Sequence, residues 1–138
     1  METVYRGYLM SDDKSRINLD ALSEFLGKSY WASHRSLDTI KRTIESSLCY
    51  GVYDGERLIG FARVITDGVT FYYLCDVYVD EEYRGEGIGK KLVEWIVQAP
   101  HFQTMSGMLR TRDAHGLYEQ FGFTTDADNT MRRAAQIL

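Results

Sequence analysis

A chain of 138 residues suits one domain, spanning 1–138, with a core large enough to bury roughly 65–70% of the unfolded surface. A net charge of −4 leaves no basic stripe to neutralise phosphates, so nucleic acid is not an expected partner. No apolar run approaches the ~20 residues that span a bilayer, and the opening METVYRGYLM lacks the charged-then-apolar layout of a secretory leader. No membrane partner is expected, and the expected home is the cytoplasm. Cys49 and Cys75 sit in apolar runs without metal-ligand spacing and read as buried, reduced thiols. His34 and His115 also lack partners at such spacing, so no metal is expected.

In chain order, Thr3 to Tyr8 reads as a first strand. Asn18 to Leu26 places Leu19, Leu22, Phe25 and Leu26 at helical spacing, and Gly27 is expected to end that helix in a left-handed cap. After the loop GKSYWASHRS, Ser36 resembles an N-cap for a helix to about Leu48, with Leu37, Ile40, Ile44 and Leu48 on one face. Tyr50 to Tyr53 and Leu58 to Ile65 flank Asp54-Gly55, a hairpin signal. A second turn at Asp67-Gly68 leads into Thr70 to Val79, whose β-branched and aromatic run predicts a central strand. After a glycine-rich turn, Ile88 to Val97 reads as a helix with Ile88, Leu92, Trp95 and Ile96 inward. Pro100 and the loop HFQTMSG separate it from a strand at about Met108 to Thr111. Asp113 is expected to cap a short helix carrying Leu117, Tyr118 and Phe121; Gly122 ends it and Phe123 begins another strand. The tail TMRRAAQIL fits strand and helix equally. The order β-α-α-β-β-β-α-β-α-β predicts an α/β (α+β) fold, a mixed sheet with helices on both faces.

The run Arg84-Gly85-Glu86-Gly87-Ile88-Gly89-Lys90 lies between a strand and a helix. Its glycines permit close approach of a ligand to the backbone, and the following helix offers unpaired N–H groups at its positive end. Together they suit a pyrophosphate. The dinucleotide pattern GxGxxG fails, because Lys90 stands where the last glycine belongs. The Walker pattern also fails, because Lys91 follows Lys90 and the earlier glycine is missing.

With its flanks, VYVDEEYRGEGIGKKL resembles motif A of the GNAT superfamily of acyl-CoA N-acyltransferases, with Arg84, Gly87 and Gly89 at the defining places. DAHGLYEQFGF at 113–123 resembles motif B through Ala114, Leu117, Tyr118, Gly122 and Phe123. The resemblance covers essentially the whole chain. It implies a mostly antiparallel sheet of six to seven strands, splayed between the fourth and fifth at about 70–79 and 106–111. It also implies acetyl-CoA as acyl donor and a primary amine, on a small molecule or a peptide, as acceptor. Direct attack in a ternary complex is the expected route, with a non-catalytic acyl-CoA sensor as the alternative.

Residue by residue, the resemblance implies that Val77, Tyr78 and Val79 lie along the pantetheine arm, with backbone groups of Val77 and Val79 pairing to it. Backbone N–H groups from Arg84 or Gly85 through Glu86, Gly87, Ile88, Gly89 and Lys90 would hold the pyrophosphate. Thr111 stands where the family often has an asparagine touching the arm. Tyr118 takes the place of a general acid, and the Val79 N–H that of a contact to the acyl oxygen. Asp76, costly to bury in an apolar strand, is open to three roles: base, amine-binding charge, or a carboxylate satisfied by a neighbouring strand or Arg63. Tyr73 would share its cleft only if a bulge breaks the alternation of faces. Tyr30, Trp31 and His34 fall where family members shape the acceptor pocket, although Trp31 is equally suited to anchoring a lid. A homodimer is the default oligomer.

Overall fold

The computed structural model describes residues 1–136; the last two residues of the tail, whose conformation the sequence leaves open, lie outside the described residues. Six strands form one sheet in the spatial order β1-β2-β3-β4-β5-β6. The strands are β1 (Glu2–Tyr5), β2 (Tyr8–Ser11), β3 (Leu48–Asp54), β4 (Arg57–Thr66), β5 (Phe71–Val79) and β6 (Ser106–Leu109). Every neighbouring pair is antiparallel except β5 and β6, which run parallel. The helices are α1 (Leu19–Leu26), α2 (Leu37–Ser46), α3 (Ile88–Val97), α4 (Pro100–Gln103) and α5 (His115–Glu119). None among the described residues is long and apolar enough to cross a membrane.

The predicted first strand is two. Arg6 and Gly7 adopt φ 53° and 82°, a tight reversal that folds β1 back on β2. Two consecutive positive-φ residues match the right-handed twist of a hairpin, but arginine is an unusual first partner for that turn. The first expected hairpin turn forms one residue later, at Gly55-Glu56, because Asp54 still pairs with Arg57; the second turns at Asp67-Gly68 as expected. In the second, the Asp67 carboxylate accepts from the N–H groups of Val69 and Thr70 at 2.9 and 2.8 Å.

Asn18 and Ser36 cap α1 and α2, accepting from the N–H groups of Ala21 and Thr39. Gly27 ends α1 at φ −60°, in a right-handed conformation and not the expected left-handed one. α2 stops at Ser46, and Leu48 already belongs to β3, so Leu37 and Leu48 stand exposed while Ile40 is buried. Asp113 does not cap α5; the Thr111 hydroxyl accepts from the Ala114 N–H at 3.0 Å instead. Gly122 turns with φ 89° as expected, but residues 123–136 form no strand or helix, so the sheet has six strands among the described residues.

The sheet carries a core on each side. One packs Ile59, Ala62, Val64, Tyr72 and Leu74 against Ile88, Leu92, Val93 and Ile96 of α3. The other packs Phe61 and Tyr78 against Leu22, Phe25 and Leu26 of α1 and Ile40 of α2. Along β5, Leu74 belongs to the first core and Tyr78 to the second, although four residues of a regular strand return to the same face. An extra residue in β5 opposite Ala62 shifts the register, and Asp76 within it has φ 52°. Asp76 is one of the few residue types that tolerate this region.

Leu92 is fully buried at the centre of the α3 core. Leu92→Ala should cost about 2–5 kcal/mol through lost burial and the cavity left behind, read from the shift of the urea midpoint.

Candidate active site

The donor side begins where β5 loses its partner. Pairing of β5 with β6 ends at Leu74↔Leu109, yet β5 continues to Val79, so the two strands part at the place the splay was expected. The opening lies between the fifth and sixth strands because the first hairpin adds a strand to the count. The Asp80 N–H donates to Ile59 C=O at 2.8 Å, and Gly60 opposes Val79. By antiparallel alternation, Val77 and Val79 then direct their backbone groups toward the opening. The Val79 carbonyl already accepts from Arg84 Nε at 3.2 Å; by the same alternation its N–H is turned to the gap. Tyr78 turns its ring the other way, edge-on to Phe25 and Trp31 in the α1 core.

The glycine turn completes this side. Gly87 is the N-cap of α3 at φ 79°, with no side chain capping the first turn. The N–H groups of Ile88, Gly89 and Lys90 therefore remain available to an anion. The Arg84 N–H is not among them, because it donates to Glu81 C=O at 3.4 Å; the usable run starts at Gly85. Gly85 has φ 88° and open space where a side chain would be. Gly87 differs: a Cβ there would meet the Tyr5 hydroxyl at 2.8 Å. Its side is closed by the protein, not reserved for the ligand. Tyr5 donates to the Glu86 carbonyl at 2.8 Å and Tyr8 to the Glu86 carboxylate at 2.9 Å, so the first hairpin braces the turn from behind. This cradle of free N–H groups, without a side chain in its mouth, fits a pyrophosphate.

The opposite side is organised by Asp76, 5% exposed. The bulge puts it on the α1–α2 face with Tyr73, meeting the condition the sequence set. Trp31 Nε1 donates to Oδ1 at 3.0 Å, while Arg35 Nη1 and Arg63 Nε donate to Oδ2 at 2.7 and 2.9 Å. Arg63 also donates to Ser47 Oγ at 3.0 Å. Burial raises the Asp76 pKa, but the Arg35 hydrogen bond and the charges of Arg63 and Arg35 outweigh it, and the net direction is down. A carboxylate so held does not take a proton from an ammonium. Of the three roles open to Asp76, the structure supports the satisfied carboxylate and corrects the expectation of a base or a free amine-binding charge. It ties the α1–α2 loop to the sheet.

A cleft of about 700 Å³ lies over this cluster, bordered by Tyr30, Trp31, Tyr73, Asp76, Thr111 and Tyr118. The expected acceptor and acid residues thus share one space with the end of the splay, whereas exposed His34 is outside its walls. Tyr118 is 9% exposed, and among the described residues its hydroxyl has no hydrogen-bond partner. Burial, then the charges of Asp113 and Tyr30, push its pKa up to about 12, so it keeps its proton at neutral pH. Thr111, with its oxygen accepting from Ala114, retains its own proton for a ligand. Cys75 also borders the cleft, but burial pushes the Cys49 and Cys75 thiols up to about 11, which leaves both unreactive at neutral pH.

Sequence reasoning missed Tyr5, Tyr8, Arg35, Arg110 and Arg112. Arg110 and Arg112 border the cleft from the β6–α5 connection, and the Arg112 guanidinium stacks 3.9 Å from the Tyr30 ring centre. No local pattern marks these residues; the nearest signal was the position of Arg35 in the same aromatic loop as Trp31.

The splayed strand pair runs into a turn with free N–H groups, and the buried Tyr118 borders the cleft beside it. Residues 45–125 match the family described as acetyltransferase (GNAT) domain. A Gibberella zeae protein named as an acetyltransferase is 30% identical over 135 residues, covering 80% of this chain and 75% of that protein. A chloroplastic GCN5-related N-acetyltransferase of Arabidopsis thaliana is 35% identical over 82 residues; these cover 54% of this chain and 32% of the relative. Among solved structures, a Xanthomonas campestris pv. campestris protein described as belonging to the GNAT family superposes with a TM-score of 0.86 at 36% identity, covering 93% of each chain. The chain belongs to the GNAT family of acetyltransferases.

Asp76→Asn leaves two guanidinium groups facing a neutral amide and should cost about 3 kcal/mol. The folded pKa of Asp76 is depressed, so its contribution is full above the ordinary value of 3.8 and is lost as pH falls below that, through the folded value. Urea midpoints should therefore fall less steeply below pH 3.8 in Asp76→Asn than in the wild type.

Proposed function

We propose that this protein transfers the acetyl group of acetyl-CoA to a primary amine, by direct attack while both substrates are bound. The observation that carries this reading is the β5 edge, unpaired beyond Leu74 and running straight into the uncapped first turn of α3. An extended pantetheine arm suits the backbone of Val77 and Val79 as an added strand. The N–H groups of Gly85 through Lys90 suit the two phosphates.

When bound, acetyl-CoA supplies the activated acyl thioester. The residues around it supply position and polarity. The Val79 N–H stands ready to donate to the acyl oxygen, where a fixed dipole aids transfer most. Tyr118 offers a hydrogen bond to the sulfur. A phenol at about 12 is a weaker acid than a thiol near ~8.5, so it steadies a developing thiolate and does not surrender its proton outright. With Asp76 occupied, the ammonium proton leaves to water before attack.

Gly87→Ala places a methyl against Tyr5 and strains a positive φ, so acetyl-CoA affinity should fall at least about fivefold by calorimetry. Unchanged affinity removes the turn as the phosphate site. Tyr118→Phe should lower kcat about tenfold to a hundredfold with little change in KM for acetyl-CoA. Because Tyr118 stays protonated to about 12, kcat should show no descending limb from it below pH ~11. If acetyl-CoA raises Tm while no amine in a broad panel releases thiol, the protein is a sensor and not an enzyme.

A further inference from the structure

The cleft over Asp76 has the wrong sign for a simple cationic substrate. Four arginines border it, Arg35, Arg63, Arg110 and Arg112, against two carboxylates, Asp76 and Asp113. The cleft therefore carries a formal excess of two positive charges, in a chain whose net charge is −4. Asp76 is shared between Arg35 and Arg63. Among the described residues, Arg110 and Arg112 have no carboxylate within ion-pair distance.

Arg112 is nevertheless held in place. Its guanidinium lies against the exposed Tyr30 ring, and that ring packs edge-on against Trp31 at 4.9 Å. Stacking fixes the plane of the group without neutralising it, and its N–H edge remains free for a fork-shaped contact. Arg35 spends one N–H on Asp76 and has further donors on the cleft side. Arg110 and Arg112, both exposed on the cleft wall, form a pair of guanidinium groups suited to a planar or tetrahedral anion.

We infer that the acceptor is a primary amine that also bears an anionic group, a carboxylate or a phosphate, which Arg110 and Arg112 hold at the mouth of the cleft while the amine faces Tyr118. The inference rests on the reading of this cleft as the acceptor site. The charge has a second consequence. A cationic wall disfavours an ammonium and lowers its pKa, which raises the fraction of neutral, nucleophilic amine. This supplies by electrostatics part of what a general base would supply, in a site whose buried carboxylate is already occupied.

The test uses the full chain, acetyl-CoA and thiol release, with acceptors in matched pairs. One arm compares amino acids with their amides; the other compares O-phosphoethanolamine with ethanolamine. Rates are expressed per neutral amine. In at least one arm the anionic partner should exceed its neutral counterpart by about tenfold or more in kcat/KM, and the arm that responds identifies the anion. The double variant Arg110→Gln, Arg112→Gln should bring that ratio close to one. Equal or better turnover of the neutral partner in both arms overturns the inference, as does a preference that survives in the double variant. If no amine releases thiol, the acetyl-transfer reading fails separately. Calorimetry of the same pairs on acetyl-CoA-saturated protein then decides the inference: tighter binding of the anionic partner supports it, and equal binding overturns it.

Discussion

The rest of the site hangs on one buried carboxylate. Asp76 interrupts a strand of apolar residues, takes a left-handed conformation and is held by Trp31, Arg35 and Arg63. A lone carboxylate at that depth would be expelled or protonated; three donors make it tolerable. The bulge it occupies reverses which face the strand presents. Upstream of it, β5 packs against α3 through Leu74; downstream, it packs against α1 through Tyr78. The parallel partner β6 pairs only as far as Leu74, so the cluster lies where the sheet opens.

The two halves of the site then have separate supports. The cleft side is tied together by the Asp76 cluster, which fixes the α1–α2 loop to the sheet through Trp31 and Arg35. The donor side is supported from the first hairpin, where Tyr5 and Tyr8 hold Glu86 and so set the glycine turn. The hairpin tyrosines lie 81 and 78 residues from the glutamate they hold. Strands and a ten-residue helix carry the backbone groups proposed to bind the donor, while loops carry many of the side chains that border the cleft. That division suits a fold in which one donor is combined with varied acceptors.

Much of the fold was legible because it depends on local rules. α3 runs from Ile88 to Val97 as its apolar spacing predicts, and Asn18 and Ser36 cap where their side chains reach the first turn. The Arg6-Gly7 reversal was hidden because arginine carries no turn signal. The right-handed end at Gly27 shows the same limit, since a glycine permits a left-handed cap without requiring it. Phe123 looked like a strand start, but no strand forms there among the described residues.

By itself the sequence determined the glycine turn, the strand before it and the helix after it, together with the family they denote. These are set within a few residues by spacing, glycine freedom and helix polarity. Only the tertiary structure decided which groups hold Asp76, that Tyr73 shares its cleft, and that Arg110 and Arg112 give that cleft its sign. The partners of Asp76 lie 13, 41 and 45 residues away along the chain. A charge is neutralised or left free by neighbours in space, so the meaning of a buried carboxylate or an exposed arginine exists only once the chain has folded.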